Sequence, residues 1–183
     1  MNKLLIASDL HGDAYYISKL VEAFKKEEAS RLILLGDILY HGPRNAIPVN
    51  YSPSSAIPML NSIKDKISCI KGNCDSEVDE MVLEFPFVKE SIIVFPSFKI
   101  FLTHGHIINK DNMPMLSKGD ILLYGHTHIP MWHTDNNGIR IFNPGSVSIP
   151  KNNSKYSYMT LDEKCAIWKD VQTMGEYHKE ILL

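Results

Sequence analysis

Short apolar runs that break off abruptly into Asp, Asn or His recur along this chain. The first covers residues 3–7 and stops at Ser8-Asp9-Leu10-His11-Gly12-Asp13. An apolar run of about 4–8 residues bounded by turn formers predicts a strand buried on both faces. Over residues 14–28 the period changes. Tyr16, Leu20, Val21 and Phe24 fall at helical spacing with charges on the opposite side, which predicts an amphipathic helix. Residues 31–35 form a second buried-type strand, closed by Gly36-Asp37. Strand, helix and strand in this order predict a parallel βαβ unit.

A Pro- and Gly-bearing loop over residues 40–53 leads into a predicted helix that runs through Leu60 toward Lys64, with Pro58 near its first turns. A third strand at 67–70 closes in Gly72-Asn73-Cys74-Asp75. Short strands are predicted at 91–95, 99–102, 121–123, 139–142 and 157–161. Turn sequences such as Asn136-Asn137-Gly138 separate them, the pattern of a second, largely antiparallel sheet. In an α/β sheet the carboxyl ends of the strands form a shared rim where ligands bind. Polar residues that follow those strands can therefore meet there.

Five segments carry the candidate chemistry: Asp9-Leu10-His11, Gly36-Asp37, Gly72-Asn73-Cys74-Asp75, His104-Gly105-His106 and Gly125-His126-Thr127-His128. Imidazole nitrogens and carboxylate oxygens suit Mn, Fe, Zn and related ions. Each fragment also has a plain structural reading: Asp9 can cap a helix, and a lone His in a loop is ordinarily a polar surface residue. Two His two apart after an apolar strand, as in His126 and His128, are costly without a purpose.

Composition narrows the class. The chain has 183 residues, and its net charge of -2 comes from 19 basic and 21 acidic side chains. No basic excess exists to drive binding to a phosphate backbone, so dedicated nucleic-acid binding is not expected. The first apolar run is shorter than the ~7–15 residues of an export signal, and no run approaches the ~18 of a membrane span. Cys69, Cys74 and Cys165 show no C-x-x-C spacing, which fits a reduced, cytoplasmic setting.

Taken in order, the five segments resemble the calcineurin-like metallophosphoesterase family: D-x-H, G-D, G-N-x-D, a late His with glycine, and G-H-x-H, running from Asp9 to His128. Within that family the chain looks most similar to the small bacterial YfcE-like phosphodiesterase branch. Tyr40-His41-Gly42-Pro43-Arg44-Asn45, Gly72-Asn73-Cys74-Asp75-Ser76 and Asn143-Pro144-Gly145-Ser146-Val147-Ser148 carry that likeness. The resemblance implies one α/β domain over residues 1–183, a sandwich of two mixed β-sheets flanked by helices.

It also implies two divalent cations, Mn2+ foremost, with Fe, Co, Ni or Zn acceptable to the same ligands. The first would take Asp9, His11 and His128; the second Asn73, His104 and His126; Asp37 would bridge them. Catalysis would rest on Asp37, Asn73, Cys74 and His104, with a metal-bridging hydroxide attacking a small phosphodiester directly. A phosphomonoesterase and a non-catalytic interaction scaffold are the alternatives. His41, Arg44 and His106 are expected at the substrate, and Asp75 either orients a ligand His or caps the next turn. His133 and His178 read as surface or packing residues. A dimer or tetramer fits the resemblance, with Phe85 and Phe87 as exposed apolar contributors.

Cys74 departs from the family pattern, since many members carry His there to assist the leaving group. A thiol of ordinary pKa near 8.5 is a poor proton donor at neutrality, so diesters with good leaving groups are favoured over monoesters. A covalent cysteine mechanism would need a basic, Gly-rich loop around Cys74, and its neighbours are Asn73 and Asp75.

Overall fold

The computed structural model describes residues 3–183. In chain order its elements are β1 (Leu4–Ala7), α1 (Ala14–Lys26), β2 (Arg31–Leu34), α2 (Pro53–Asn61), β3 (Ile67–Ile70), α3 (Glu77–Val82), β4 (Phe87–Val88) and β5 (Glu90–Val94). There follow β6 (Lys99–Thr103), β7 (Ile121–Leu123), β8 (Met131–Thr134), β9 (Arg140–Asn143), β10 (Ser157–Leu161), β11 (Cys165–Asp170) and β12 (Glu176–Ile181).

The predicted βαβ unit is present. β1 and β2 pair in parallel, Leu4 opposite Arg31, and α1 crosses between them. Asp13 starts that helix by accepting a hydrogen bond from the Tyr16 amide at 3.0 Å. Tyr16, Ile17, Leu20 and Phe24 then face the sheet and meet Leu5, Leu32 and Leu34. Removing one such side chain, as in Leu20→Ala, deletes contacts worth about 2–5 kcal/mol.

Seven strands form the first sheet in the order β12-β11-β10-β1-β2-β3-β4, and five form the second in the order β5-β6-β7-β9-β8. The sheets pack face to face. Leu4, Ile6, Ile33 and Ile70 from the first interlock with Ile100, Leu102, Ile121, Leu123 and Phe142 from the second. Helices α1 and α2 cover the outer face of the first sheet. The second sheet's outer face, with Leu122, Tyr124 and Ile141, is covered by Ile108, Met113 and Leu116 of the long β6–β7 connection. No helix of the described residues is long and apolar enough to cross a membrane.

Four expectations need correction. The second sheet is mixed, because β6–β7 and β7–β9 pair in parallel and only its two outer pairings are antiparallel. Strand β10 belongs to the first sheet, antiparallel to β1 with Leu161 opposite Leu4. Phe85 is 5% exposed and Phe87 is half-buried, stacked on one another against the α1–α2 side of the core, so neither offers an apolar surface. The second helix ends at Asn61, and Lys64–Lys66 form a separate 3-10 turn.

Candidate metal centre

Five loops leave the carboxyl ends of β1, β2, β3, β6 and β7 and converge on one point, where the two sheets share a rim. Backbone hydrogen bonds lock the loops together before any side chain acts. The Asp9 amide donates to the Gly36 carbonyl at 3.0 Å, the His11 amide to the Asp37 carbonyl at 3.0 Å, and the Gly125 amide to the His104 carbonyl at 2.9 Å. Of the nine non-glycine residues at positive φ among the described residues, five are Asp9, His11, Asp37, His126 and His128. Such backbone is costly for side chains with a Cβ and persists where surrounding structure over-determines it, typically at functional sites. Gly72 and Gly125 make the approach passable. A Cβ on Gly72 would strike the Asp37 carboxylate, and one on Gly125 would strike the Ser8 side chain and crowd Asp9.

The side chains fall into two groups that share Asp37. In the first, Asp9, His11 and His128 are all buried. The His11 Nδ1–H donates to the Tyr40 carbonyl at 2.7 Å and the His128 Nδ1–H to the Ile149 carbonyl at 2.7 Å. Each ring is thereby fixed as the tautomer whose Nε2 carries a lone pair. Those two Nε2 atoms lie 3.3 Å apart, acceptor facing acceptor, a contact that a cation held by both would make favourable. Asp9 Oδ1 sits 3.3 Å from His128 Nε2 and 3.8 Å from His11 Nε2 and has no hydrogen-bond partner despite full burial. Its other oxygen accepts from the His126 amide at 3.0 Å.

In the second group, the His104 Nδ1–H donates to the Leu35 carbonyl at 2.7 Å. His104 Nε2 meets Asn73 Oδ1 at 3.0 Å, His126 Nδ1 at 3.2 Å and Asp37 Oδ1 at 3.5 Å. Asp37 Oδ2 turns the other way, 3.8 Å from His11 Nε2. One carboxylate thus presents an oxygen to each group.

The electrostatics match a site built for positive charge. Burial alone would lower the pKa of His104, but the Asp37 and Asp9 carboxylates outweigh it and raise it to about 9. Against the effect of its own burial, Asp37 is held well below the usual carboxylate range, chiefly by His104. Burial and the neighbouring His104 push His126 down to about 4, so its ring is neutral at neutral pH and one of its two nitrogens can offer a lone pair. An orphaned buried carboxylate oxygen, opposed lone pairs and a mixed nitrogen and oxygen set together fit a divalent cation.

Around this set lies a second tier that sequence reading assigned differently or missed. Asp75 neither orients a histidine nor caps a helix. Its carboxylate accepts from the amides of Asp37 (2.9 Å), Ile38 (2.7 Å) and Gly72 (2.7 Å), and so clamps the β2 loop to the β3 loop. The cap of α3 is Ser76, in a reciprocal box with Asp79. Asn143 donates to the Gly125 carbonyl at 2.6 Å, and the Ser146 hydroxyl donates to the Asp9 carbonyl at 2.8 Å. The Asn143–Ser146 turn therefore holds the backbone of Asp9 and Gly125 from behind.

A cleft of about 680 Å3 opens over the cluster, walled by Asp37, Asn73, Cys74, His126 and His128, with Arg44 and Lys151 also lining it. Lys151 is a cation that no motif had singled out. Burial, then the Asp37 carboxylate, push the Cys74 thiol up to about 12, so it stays protonated at neutral pH. His41 stands aside from the cleft, its ring packed on Tyr40 and edge-on to Tyr51. His106 is exposed, with its ring 5.4 Å from that of His104, and lines a separate pocket of about 230 Å3 with Lys71 and Lys89. His133 lies on the surface, and His178 stacks on Trp132 at 3.8 Å.

Known proteins share this fold. The model of the calcineurin-like phosphoesterase superfamily domain matches residues 2–165. Phosphodiesterase YfcE of Escherichia coli strain K12 is 44% identical over 164 residues, 88% of each chain. The solved structure of Escherichia coli YfcE, described as a phosphoesterase, superposes with a TM-score of 0.94 at 39% identity, over 99% of this chain and 100% of that one. A structure described as a novel archaeal phosphodiesterase shares the fold at a TM-score of 0.63 and 18% identity, over 98% of this chain and 99% of that one. Sequence and overall fold agree, and the chain belongs to the calcineurin-like phosphoesterase superfamily.

Proposed function

We propose that this protein is a divalent-metal-dependent phosphodiesterase that acts on a small phosphodiester, with two cations held between Asp9, His11 and His128 on one side and Asn73, His104 and His126 on the other. The observation that carries this reading is Asp37, whose two oxygens face the two ring-nitrogen groups separately. Mn2+ is the leading ion for this set, with Fe, Co, Ni and Zn acceptable to the same ligands. Bound divalent ions supply an activated water and electrophilic neutralisation of phosphoryl oxygens.

The chain's own residues do the rest. Tautomers fixed by Tyr40, Ile149 and Leu35 keep three imidazoles aimed inward at no cost during reaction. Arg44 and Lys151 add positive charge on the cleft wall, and the Arg fork suits two phosphoryl oxygens at once. Cys74 lines the same cleft as a weakly acidic thiol, so it gives a departing alkoxide little help. Esters that leave without protonation are therefore preferred, which favours aryl-like diesters over ordinary monoesters. YfcE, the 44% identical relative, is named a phosphodiesterase, which supports the same choice.

In this reading the protein works in the cytoplasm, consistent with three free cysteines. It assembles as a dimer or tetramer. Ile92 and Val94, 54% and 78% exposed on the edge strand β5, support self-association.

Chelator-stripped protein assayed on bis(p-nitrophenyl) phosphate and on p-nitrophenyl phosphate tests the function. Adding Mn2+ should restore hydrolysis of the diester and favour it over the monoester; both release p-nitrophenolate, so the comparison reads the choice of diester over monoester and not the need for a general acid. Silence on both esters with every one of the five metals would move the reading to an interaction scaffold. Cys74→Ala should keep diester activity within about threefold, because a thiol this weakly acidic contributes little proton transfer. Near-complete loss would reinstate a covalent cysteine mechanism.

A further inference from the structure

Beside the metal cleft runs a second depression of about 510 Å3, and the two share Tyr40, Cys74 and Ser76 as common wall. It lies between α2 and α3 and is lined by Tyr51, Ile57, Val78 and Val82 together with Tyr40. Val78 and Val82 are four apart on α3, so both present to the same side. The lining contains no Lys or Arg. Its one carboxylate, Asp79, is buried and already accepts from the Ser76 amide at 2.8 Å. Charge in the combined cavity is therefore divided: Arg44 and Lys151 line the cleft, and the extension past Cys74 is apolar and aromatic.

Two other depressions lack this continuity. The groove of about 470 Å3 around Tyr15, Tyr16 and Tyr156 shares no wall residue with the metal cleft, and neither does the pocket of Lys71, Lys89 and His106.

We infer that the groove of Tyr40, Tyr51, Ile57, Val78 and Val82 seats an aromatic ester group of the diester, so that aryl-bearing phosphodiesters are the substrate class. This rests on the phosphodiesterase reading above and narrows it. A phosphate at the cluster has Cys74 and Tyr40 as neighbours, and an ester substituent that follows this wall enters the groove directly. Tyrosines at its entrance and wall offer ring faces and edges to a planar guest. A second anionic group would find no cation there, and a polar headgroup would lose hydration without partners.

Calorimetric titration of the Mn2+-loaded protein with diphenyl phosphate and with dimethyl phosphate tests the groove by binding alone. Diphenyl phosphate should bind at least about tenfold tighter, the gain expected from half-burying a ring. Val78→Asp, at a position 64% exposed and so tolerant of change, should reduce that preference to near parity. Met115→Asp, 94% exposed and outside both cavities, should leave it intact. Equal affinities in the unaltered protein, or a preference that survives Val78→Asp, would overturn the groove assignment. The same preparations assayed on bis(p-nitrophenyl) phosphate separate the two claims. Turnover without aryl preference sinks the groove and keeps the function. Aryl preference without turnover sinks the function and keeps the groove, and failure to bind either ester sinks both.

Discussion

Asp37→Asn should abolish metal-restored diester hydrolysis, a loss on the order of 10³-fold, while leaving the fold intact. The substitution keeps the shape of the side chain and an oxygen for the Cys74 amide, which donates to Asp37 Oδ1 at 2.8 Å. What disappears is a charged oxygen for one of the two ligand groups, since an amide nitrogen offers no lone pair. The stripped variant should melt close to the stripped parent. Addition of Mn2+ should raise the melting temperature of the parent well above that of the variant, because ligand binding stabilises only in proportion to affinity. Equal metal-induced shifts with lost activity would assign Asp37 to chemistry alone and break the bridging account.

Asp75→Ala should be the most damaging change outside the ligand set. It strands the buried amides of Asp37, Ile38 and Gly72 at once. Each unsatisfied amide costs about 1–3 kcal/mol, partly relieved by water entering the gap, so a loss of about 3–5 kcal/mol is expected. For a domain of this size that lowers the melting temperature by about 10 °C, and diester turnover falls with it because the β2 and β3 loops lose their clamp. Thermal unfolding of the metal-free protein isolates the structural part. A change of less than about 1 kcal/mol would mean that the two loops hold each other without Asp75.

The parts legible in the sequence share one physical cause. β1 and, after Arg31, β2 are buried on both faces, so they read as uninterrupted apolar runs, β3 is broken only by the exposed Ser68, and α1 shows its buried stripe through Tyr16, Leu20 and Phe24. Ligand candidates stand out because an Asp or His straight after such a run is costly unless it is used. Strands β11 and β12 escaped notice because they are half-exposed at the sheet's margin, where Lys169, Lys179 and Glu180 interrupt the apolar pattern. The place of β10 beside β1 is a pairing between residues near opposite ends of the chain, and local pattern carries no information about such partners. Helix α3 has only six residues, too few to show a period.

At the site, residue types were readable and orientations were not. His41 and Arg44 are three apart in one loop, yet only Arg44 lines the cleft, because His41 packs between Tyr40 and Tyr51. The role of Asp75 depends on three amides brought together by tertiary folding, so no spacing rule reports it. Lys151 reaches the cleft because its amide donates to the His128 carbonyl at 3.2 Å, a contact across 23 residues that composition cannot reveal.

Electron paramagnetic resonance of the stripped protein, titrated with Mn2+ and followed alongside turnover of bis(p-nitrophenyl) phosphate, tests the central claim most directly. The account predicts that activity rises together with the signal of a spin-coupled Mn2+ pair, and that Asp37→Asn removes both. Full activity accompanied only by the spectrum of isolated ions would contradict a shared carboxylate between two metals.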